Sequence, residues 1–359
     1  MPASLRFELT TPEIDDRPVF LSGNFCDWYP DLPAFQLTPV EPGRYALELP
    51  ASLALPDRIE YKYTRGGWEH VELDAWAEVP PNRTTRRKTG VRRDEVPHWR
   101  WYGQAINPAY WPTLGLLDDA RPMPSRQTTR RVRVLLPHDY AHTDRRYPVL
   151  YLQDGQNLTG AGAGYGTWGV DRTMALLASQ QQHNLILVLI DHGGTDRVLE
   201  FTPDRTLAGT GDGRRYLDFV VHQLKPRIDT LFRTQPARES TGLGGSSMGG
   251  LISLYGGLLH PAVFGRLLVF SPSLWVSRSA YADAAAWQVP GSTRLYLYGG
   301  RQETRYMEPS LRQLAASVQQ SPAARLLQLQ ESINPTGRHN ETFWGRAFPG
   351  AIRWLFFNP

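Results

Sequence analysis

Residues 242–250 read Gly-Leu-Gly-Gly-Ser-Ser-Met-Gly-Gly, and no other stretch restricts the fold of this chain so tightly. Within it Gly245-Ser246-Ser247-Met248-Gly249 fits G-x-S-x-G, the pattern of a strand that turns abruptly into a helix. The central residue of such a turn is held in a strained backbone conformation. A Cβ two residues before or after it would strike the neighbouring strand and helix. Ser247 is therefore the candidate nucleophile; Ser246 does not fit, because Met248 would then occupy the second glycine position. Residues 238–242 lead in as a short, weakly apolar strand, and 251–259 read as a small-residue helix ending before Pro261. The competing reading is a Gly-rich turn in an ordinary α/β protein.

The surrounding pattern gives the turn its context. Strands are expected at 131–136, 149–153, 185–190, 267–270, 294–298 and 326–329, and helices at 170–180, 214–232, 251–259, 306–319 and 342–356. That alternation predicts a doubly wound α/β sheet over 127–359. Residues 1–95 instead carry short β-type runs at 5–9, 19–22, 45–49, 59–64 and 68–73, as in a small all-β sandwich. Between the two, 96–126 contains Pro97, Pro108, Pro112, Pro122 and Pro124 and reads as a surface linker.

Composition excludes several classes of function. The chain has 359 residues, 41% apolar and 21% charged, which is ordinary for a soluble globular protein of two domains. Its single cysteine, Cys26, forbids an internal disulfide framework and fits a reducing compartment. The first six residues hold no apolar signal core and no run reaches membrane-spanning length, so a cytoplasmic protein without membrane contact is expected. The formal charge is only +4, carried almost wholly by Arg, with Lys at 62, 88 and 225 alone. Arg83, Arg86, Arg87, Lys88, Arg92 and Arg93 form the densest basic cluster; no nucleic-acid motif accompanies it, and a solvated face is the reading adopted.

Two further patterns are set aside. Gly164-Tyr165-Gly166-Thr167-Trp168-Gly169 matches G-x-G-x-x-G, yet about ten residues separate it from the preceding strand, whereas a dinucleotide site begins at once. It reads as a flexible lip of a pocket, with Trp168 placed to touch ligand. His138 and His142 are four apart, but Pro137 opposes a helical metal pair and no third ligand stands out. No metal and no cofactor are expected.

In a serine hydrolase on this type of sheet the acid and then the base follow the nucleophile. Only His260 and His339 come after Ser247. His260, in Leu-Leu-His-Pro, reads as a helix end; His339, between the last strand and the last helix, can bring its imidazole over the sheet edge. No Asp follows Asp283, so an acid beyond the next strand must be Glu. Glu303 closes a short turn after the strand at 294–298 and is the first choice, with Glu331 and Glu341 as alternatives and Glu308 somewhat too far on. The oxyanion needs two backbone N–H donors. Met248, directly after the nucleophile, offers one, and Gln156 in the Asp154-Gly155-Gln156 turn offers the other.

With these residues in hand, 130–357 resembles the esterase family that includes esterase D, enterochelin esterase, feruloyl esterases and the mycolyltransferases, an α/β-hydrolase fold. The likeness rests on Leu152-Gln153-Asp154-Gly155-Gln156-Asn157, Arg197 with Glu200-Phe201-Thr202-Pro203, the elbow, Phe270-Ser271-Pro272-Ser273-Leu274-Trp275 and His339. It implies that the Gln156 amide is the second oxyanion donor, that Arg197 and Glu200 shape the cleft, and that Trp275 meets substrate. Family members with an Asp acid are not matched. The N-terminal part resembles the early-set β-sandwich of starch- and glycogen-binding modules, through Val19-Phe20-Leu21-Ser22-Gly23-Asn24-Phe25 with Trp28, Gly43-Arg44-Tyr45, and Glu60-Tyr61-Lys62-Tyr63 with Trp68. Trp28 and Trp68 are read as core or interface aromatics in preference to sugar platforms.

The expected activity is serine carboxylic-ester hydrolysis through an acyl-enzyme, on a small-molecule ester that is either a siderophore lactone or an acylated saccharide. An acyltransferase of the same fold and a glycan-binding protein with a vestigial hydrolase domain are the alternatives. Self-association into a homo-oligomer is left open.

Overall fold

In Leu5–Thr10 the side chains of Leu5, Phe7 and Leu9 are buried and those between them are more exposed, the period of two that a half-buried strand requires. The same logic recurs through a first unit, Met1–Trp111 with Ala175–Gln182, separate from a second, Pro112–Met174 with His183–Pro359. The computed structural model describes residues 5–49, 52–86, 90–122, 129–180, 184–203, 205–206, 209–277 and 279–357. Arg87 and Lys88 of the basic cluster, and Pro124 of the expected linker, lie outside them.

The first unit is built mainly of strands, with the helical residues Ala175–Ser179 added to it. Its strands hydrogen-bond in the order Arg83–Arg86, Arg58–Thr64, Val19–Gly23, Gln36–Glu41, Arg44–Leu49, Leu5–Thr10, Gly90–Glu95, antiparallel except for the last pair. Gln36–Glu41 serves both halves: Gln36 and Leu37 pair with Phe20 and Val19, while Thr38 and Pro39 pair with Ala46 and Tyr45. A strand that changes partners along its length folds the sheet over one core, here of Phe7, Leu21, Leu37, Ile59, Tyr61 and Tyr63 among others. The sequence gives little sign of Gln36–Glu41, whose Pro39 argues against a strand. Of the expected strand at 68–73, Trp68–His70 is a 3-10 turn, Val71 is extended and bridges to Thr64, and Glu72–Leu73 form a short strand.

The second unit holds an eight-stranded sheet. We number its strands β1 Thr113–Pro122, β2 Thr129–Leu136, β3 Val149–Gln153, β4 Ile186–Ile190, β5 Thr241–Ser246, β6 Arg266–Phe270, β7 Thr293–Gly300 and β8 Leu327–Asn334. They lie in the order β1-β2-β4-β3-β5-β6-β7-β8. The β1–β2 and β2–β4 pairings are antiparallel and all others parallel. β3 and β4 are buried at every residue, as strands covered on both faces must be, and their near-continuous apolar sequences follow from that. β1 lies in the stretch expected as a linker. It is an edge strand, where a proline such as Pro122 at its end is tolerated, so proline there misleads a reading by composition.

Two elements depart from expectation for local reasons. The expected strand at 238–242 is a 3-10 turn, Arg238–Ser240, followed by β5, which is Gly-rich and wholly buried. The expected helix at 214–232 is Gly213–Phe219 and Lys225–Leu231 with a π turn, Val220–Leu224, between them. Pro226 has no N–H to donate to the carbonyl four residues earlier, and the ladder is locally rewound beside it.

Candidate active site

The parallel strands direct their carboxyl ends to one edge of the sheet, and the turns after β3, β5, β6 and β7 meet there. Ser247 follows β5 and caps the helix Met248–Leu259 with φ 57° and ψ −120°. A residue with a Cβ is rarely found in that conformation, and it persists because its surroundings fix it. Its N–H donates to the Phe270 carbonyl at 2.9 Å, and its own carbonyl accepts from the Ser273 N–H at 3.0 Å. The glycines are needed for space: a Cβ on Gly245 would come within 2.8 Å of the Gly249 carbonyl carbon, and one on Gly250 within 2.7 Å of the Phe270 carbonyl oxygen. The Ser247 Oγ is 3.2 Å from the Ser273 Oγ.

Glu303 and His339 are brought together. Nδ1 of His339 is 2.7 Å from Oε2 of Glu303, whose side chain is fully buried while the imidazole is 35% exposed. The other oxygen of Glu303 accepts from the Gly300 N–H at 2.6 Å and from the Ser271 hydroxyl at 2.7 Å. Ser271 in turn accepts from the indole N–H of Trp344 at 2.9 Å, and that indole stands edge-to-face on the His339 ring at 4.9 Å. The carboxylate is thus satisfied on both oxygens, and the imidazole is held from the side and from behind. Asn340, next to His339, caps the helix Glu341–Ile352 through the Phe343 N–H and so fixes the loop. Among the described residues no hydrogen bond joins His339 to Ser247; catalytic contacts of this kind are often long before substrate binds.

The two residues expected to supply oxyanion donors each follow a strand of the sheet, Met248 after β5 and Gln156 after β3. Met248 is the first residue of its helix, where an N–H has no intrahelical acceptor. Gln156 sits in the 3-10 turn Gly155–Asn157, and its side-chain oxygen accepts from the His192 N–H at 3.2 Å. Asp154, in the left-handed region at φ 57°, starts that turn. Arg197 clamps it with two bonds, Nε to Oδ1 at 2.6 Å and Nη2 to Oδ2 at 2.7 Å. Arg197 therefore braces the turn that carries Gln156.

Other expectations fall differently. Glu200 is fully buried and ion-paired with the buried Arg130, so it stands inside the fold and has no surface to offer a ligand. Trp168 is no flexible lip: it stacks on Phe270 at 5.4 Å and packs on Trp344 and Phe348, buried because the apolar ring completes that cluster. Trp275 is 68% exposed after β6. Of the alternative acids, Glu331 lies within β8 and Glu308 pairs with Arg301 and Arg312. Glu341 is buried beside Asn157, whose amide reaches it at 3.4 Å, and burial together with the Asp154 charge raises its pKa. Ser271 and Trp344 escaped the reading of the sequence as functional positions, although Ser271 lies in the Phe270–Trp275 motif. A serine at a helix N-terminus, an imidazole bonded to a buried carboxylate and backbone N–H groups in turns after β3 and β5 are parts from which an acyl-transfer site can be built.

The family described as "Putative esterase" matches residues 124–355. An uncharacterized protein of Bacillus subtilis (strain 168), YbbA, is 28% identical over 243 residues, covering 63% of this chain and 92% of that one. An alpha-amylase of Niallia circulans is 33% identical over 105 residues, which are 28% of this chain and 8% of that enzyme. Among solved structures, the enterobactin esterase FES of Shigella flexneri has a TM-score of 0.51 at 16% identity over 98% of this chain and 92% of its own, a likeness of fold.

Proposed function

The chain belongs to the Esterase family and is a carboxylic ester hydrolase, and from that premise we propose that it cleaves its substrate through an acyl-enzyme on Ser247. His339 takes the Ser247 hydroxyl proton as Oγ bonds to the ester carbonyl carbon. The carbonyl π electrons move to oxygen, and the N–H groups of Met248 and Gln156 stabilise that charge. Collapse expels the alcohol, which leaves with the proton from His339. Water then repeats the sequence on the acyl-enzyme and releases the acid. Glu303 holds the imidazole in one tautomer and stabilises its charged form throughout. The observation that carries this reading is the 2.7 Å bond between His339 and a fully buried Glu303, at the sheet edge where Ser247 is held at φ 57°.

The test is pre-steady-state hydrolysis of a short-chain p-nitrophenyl ester. An initial burst of p-nitrophenol near one equivalent, and an acyl adduct located on Ser247 by mass spectrometry, are expected where deacylation is the slower step. Full turnover by Ser247→Ala would remove the nucleophile assignment.

For the substrate, we propose a siderophore lactone. Support comes from the enterobactin esterase, the neighbour whose fold spans 98% of this chain. The 105-residue match to an alpha-amylase favours a second reading, an acylated saccharide. Parallel assays of ferric siderophore lactones and acetylated or feruloylated sugars separate the two by kcat/KM. Turnover of neither class by a protein active on p-nitrophenyl esters would sink both.

A further inference from the structure

Asp218, His222 and His260 lie together on the second unit, and no step of ester cleavage uses them. Asp218 stands in Gly213–Phe219, His222 in the π turn Val220–Leu224, and His260 caps the far end of the helix Met248–Leu259. One ligand atom from each lies within 4.8 Å of the other two. Nε2 of His260 is 3.6 Å from Oδ1 of Asp218, and the two imidazoles meet edge-to-face with centres 6.1 Å apart. Asp218 and His222 are four residues apart on one helical run, which sends both side chains from the same face. His260 comes to them from a separate element.

We propose that Asp218, His222 and His260 bind a divalent transition metal ion, with Zn2+ the best match to their donors. Two imidazoles and one carboxylate suit zinc and its neighbours, whereas Mg2+ and Ca2+ prefer oxygen alone. Around a tetrahedral zinc with bonds of about 2.0–2.1 Å, neighbouring donors stand about 3.4 Å apart. The His260–Asp218 separation of 3.6 Å is already close to that. His222 is exposed, so rotation of its side chain can bring in the third donor. An ion pair between Asp218 and His260 would account for two of the three residues and leave the second imidazole unexplained. Three protein ligands leave a fourth position to solvent.

The site lies at the opposite end of the helix from Ser247, across its twelve residues, a length of about 18 Å. An ion there would tie that helix end to the preceding helical run without meeting the ester. Metal loading is therefore expected to raise thermal stability and leave turnover alone.

The experiment is calorimetric titration of ZnCl2 into the untagged full-length chain after chelator treatment, with a melting curve at each metal concentration. Saturable binding of one Zn2+ per chain with a rise in Tm is expected, and MgCl2 should give neither. His222→Ala should weaken binding at least about tenfold, since loss of a ligand costs no less than loss of a supporting group. The same variant should lose the Tm rise and keep wild-type turnover of p-nitrophenyl esters. Asp218→Asn, which preserves shape, gives the same readout should His222→Ala fold poorly. A zinc isotherm unchanged by either substitution, or no saturable binding by the wild type up to about millimolar zinc, would overturn the proposal.

Discussion

The hydroxyl of Ser271 joins two groups that position one imidazole: it donates to Glu303 and accepts from Trp344, whose ring packs on His339. At the residue scale the site is thus graded. Ser247→Ala and His339→Ala each remove a group that reacts in the proposed mechanism, and a loss of about 10^6 in kcat is expected for each. Glu303→Gln keeps the shape and loses the charge, for a smaller loss of about 10^4. Ser271→Ala leaves Glu303 its Gly300 N–H bond, so about tenfold is expected, in kcat and with KM little changed. Measured kcat and KM for the four variants check the order. Equal activity of Glu303→Gln and wild type would remove Glu303 from the site. Spacing in the chain proposes Ser247, and elimination proposes His339. Ser271 was reachable only as part of a motif, because nothing in a chain tells which acceptor a serine faces.

At the scale of elements, the elbow helix is buried at each residue from Met248 to Gly257, so it tolerates no added volume. Gly250→Ala would set a Cβ 2.7 Å from the Phe270 carbonyl oxygen, a backbone atom of β6 that cannot swing aside. Alanine gains up to about 1 kcal/mol in helix propensity over glycine, and overpacking costs about 1–3 kcal/mol. Where the obstacle is backbone the upper part of that range applies, and a net loss of about 2 kcal/mol in urea unfolding is expected. In the first unit, Asp15 precedes the strand Val19–Gly23 and pairs with Arg17 and with Arg65, which follows the strand Arg58–Thr64. Burial alone would raise the Asp15 pKa, but the Arg17 hydrogen bond and the Arg65 charge outweigh it and hold the carboxyl below its ordinary value of 3.8. A carboxyl so depressed binds fewer protons folded than unfolded in acid. Its stabilisation is therefore full above the ordinary value and fades as pH falls through the folded pKa. Asp15→Asn should destabilise at pH 7 and flatten the acid limb of Tm against pH; an acid limb identical to wild type would exclude the pair as its source. Element types were mostly legible, since strands and helices announce themselves by period. Gln36–Glu41 was not, and β5 was expected three residues too early, because proline and glycine obscure a strand whose pairing is decided by its neighbours.

Over the whole molecule the two units carry separate cores, one around Phe7, Tyr61 and Tyr63, the other around Tyr151, Leu243 and Leu267. Cores formed independently are expected to unfold in separate calorimetric steps. Phe7→Ala and Leu267→Ala, each costing about 2–5 kcal/mol, should then lower different transitions. One cooperative transition lowered equally by both would show that the cores melt together. At this scale, too, the helices were harder to place than the sheet, since Pro226 turns an apparently continuous helix into two with a π turn between. What the sequence determined by itself is the candidate chemistry: a serine in a turn that glycines permit, one suitable histidine for the proposed base, and a Glu for the proposed acid because no Asp remains after Asp283. Local sterics and chain order suffice for those. Only the tertiary structure decided which side chains meet. It withdrew Glu200 and Trp168 into the interior, turned Arg197 onto Asp154, and placed Ser271 and Trp344 behind the Glu303–His339 pair. Contacts between distant residues are fixed by strand order and by competition for buried hydrogen bonds, and neither is written in any short stretch of chain.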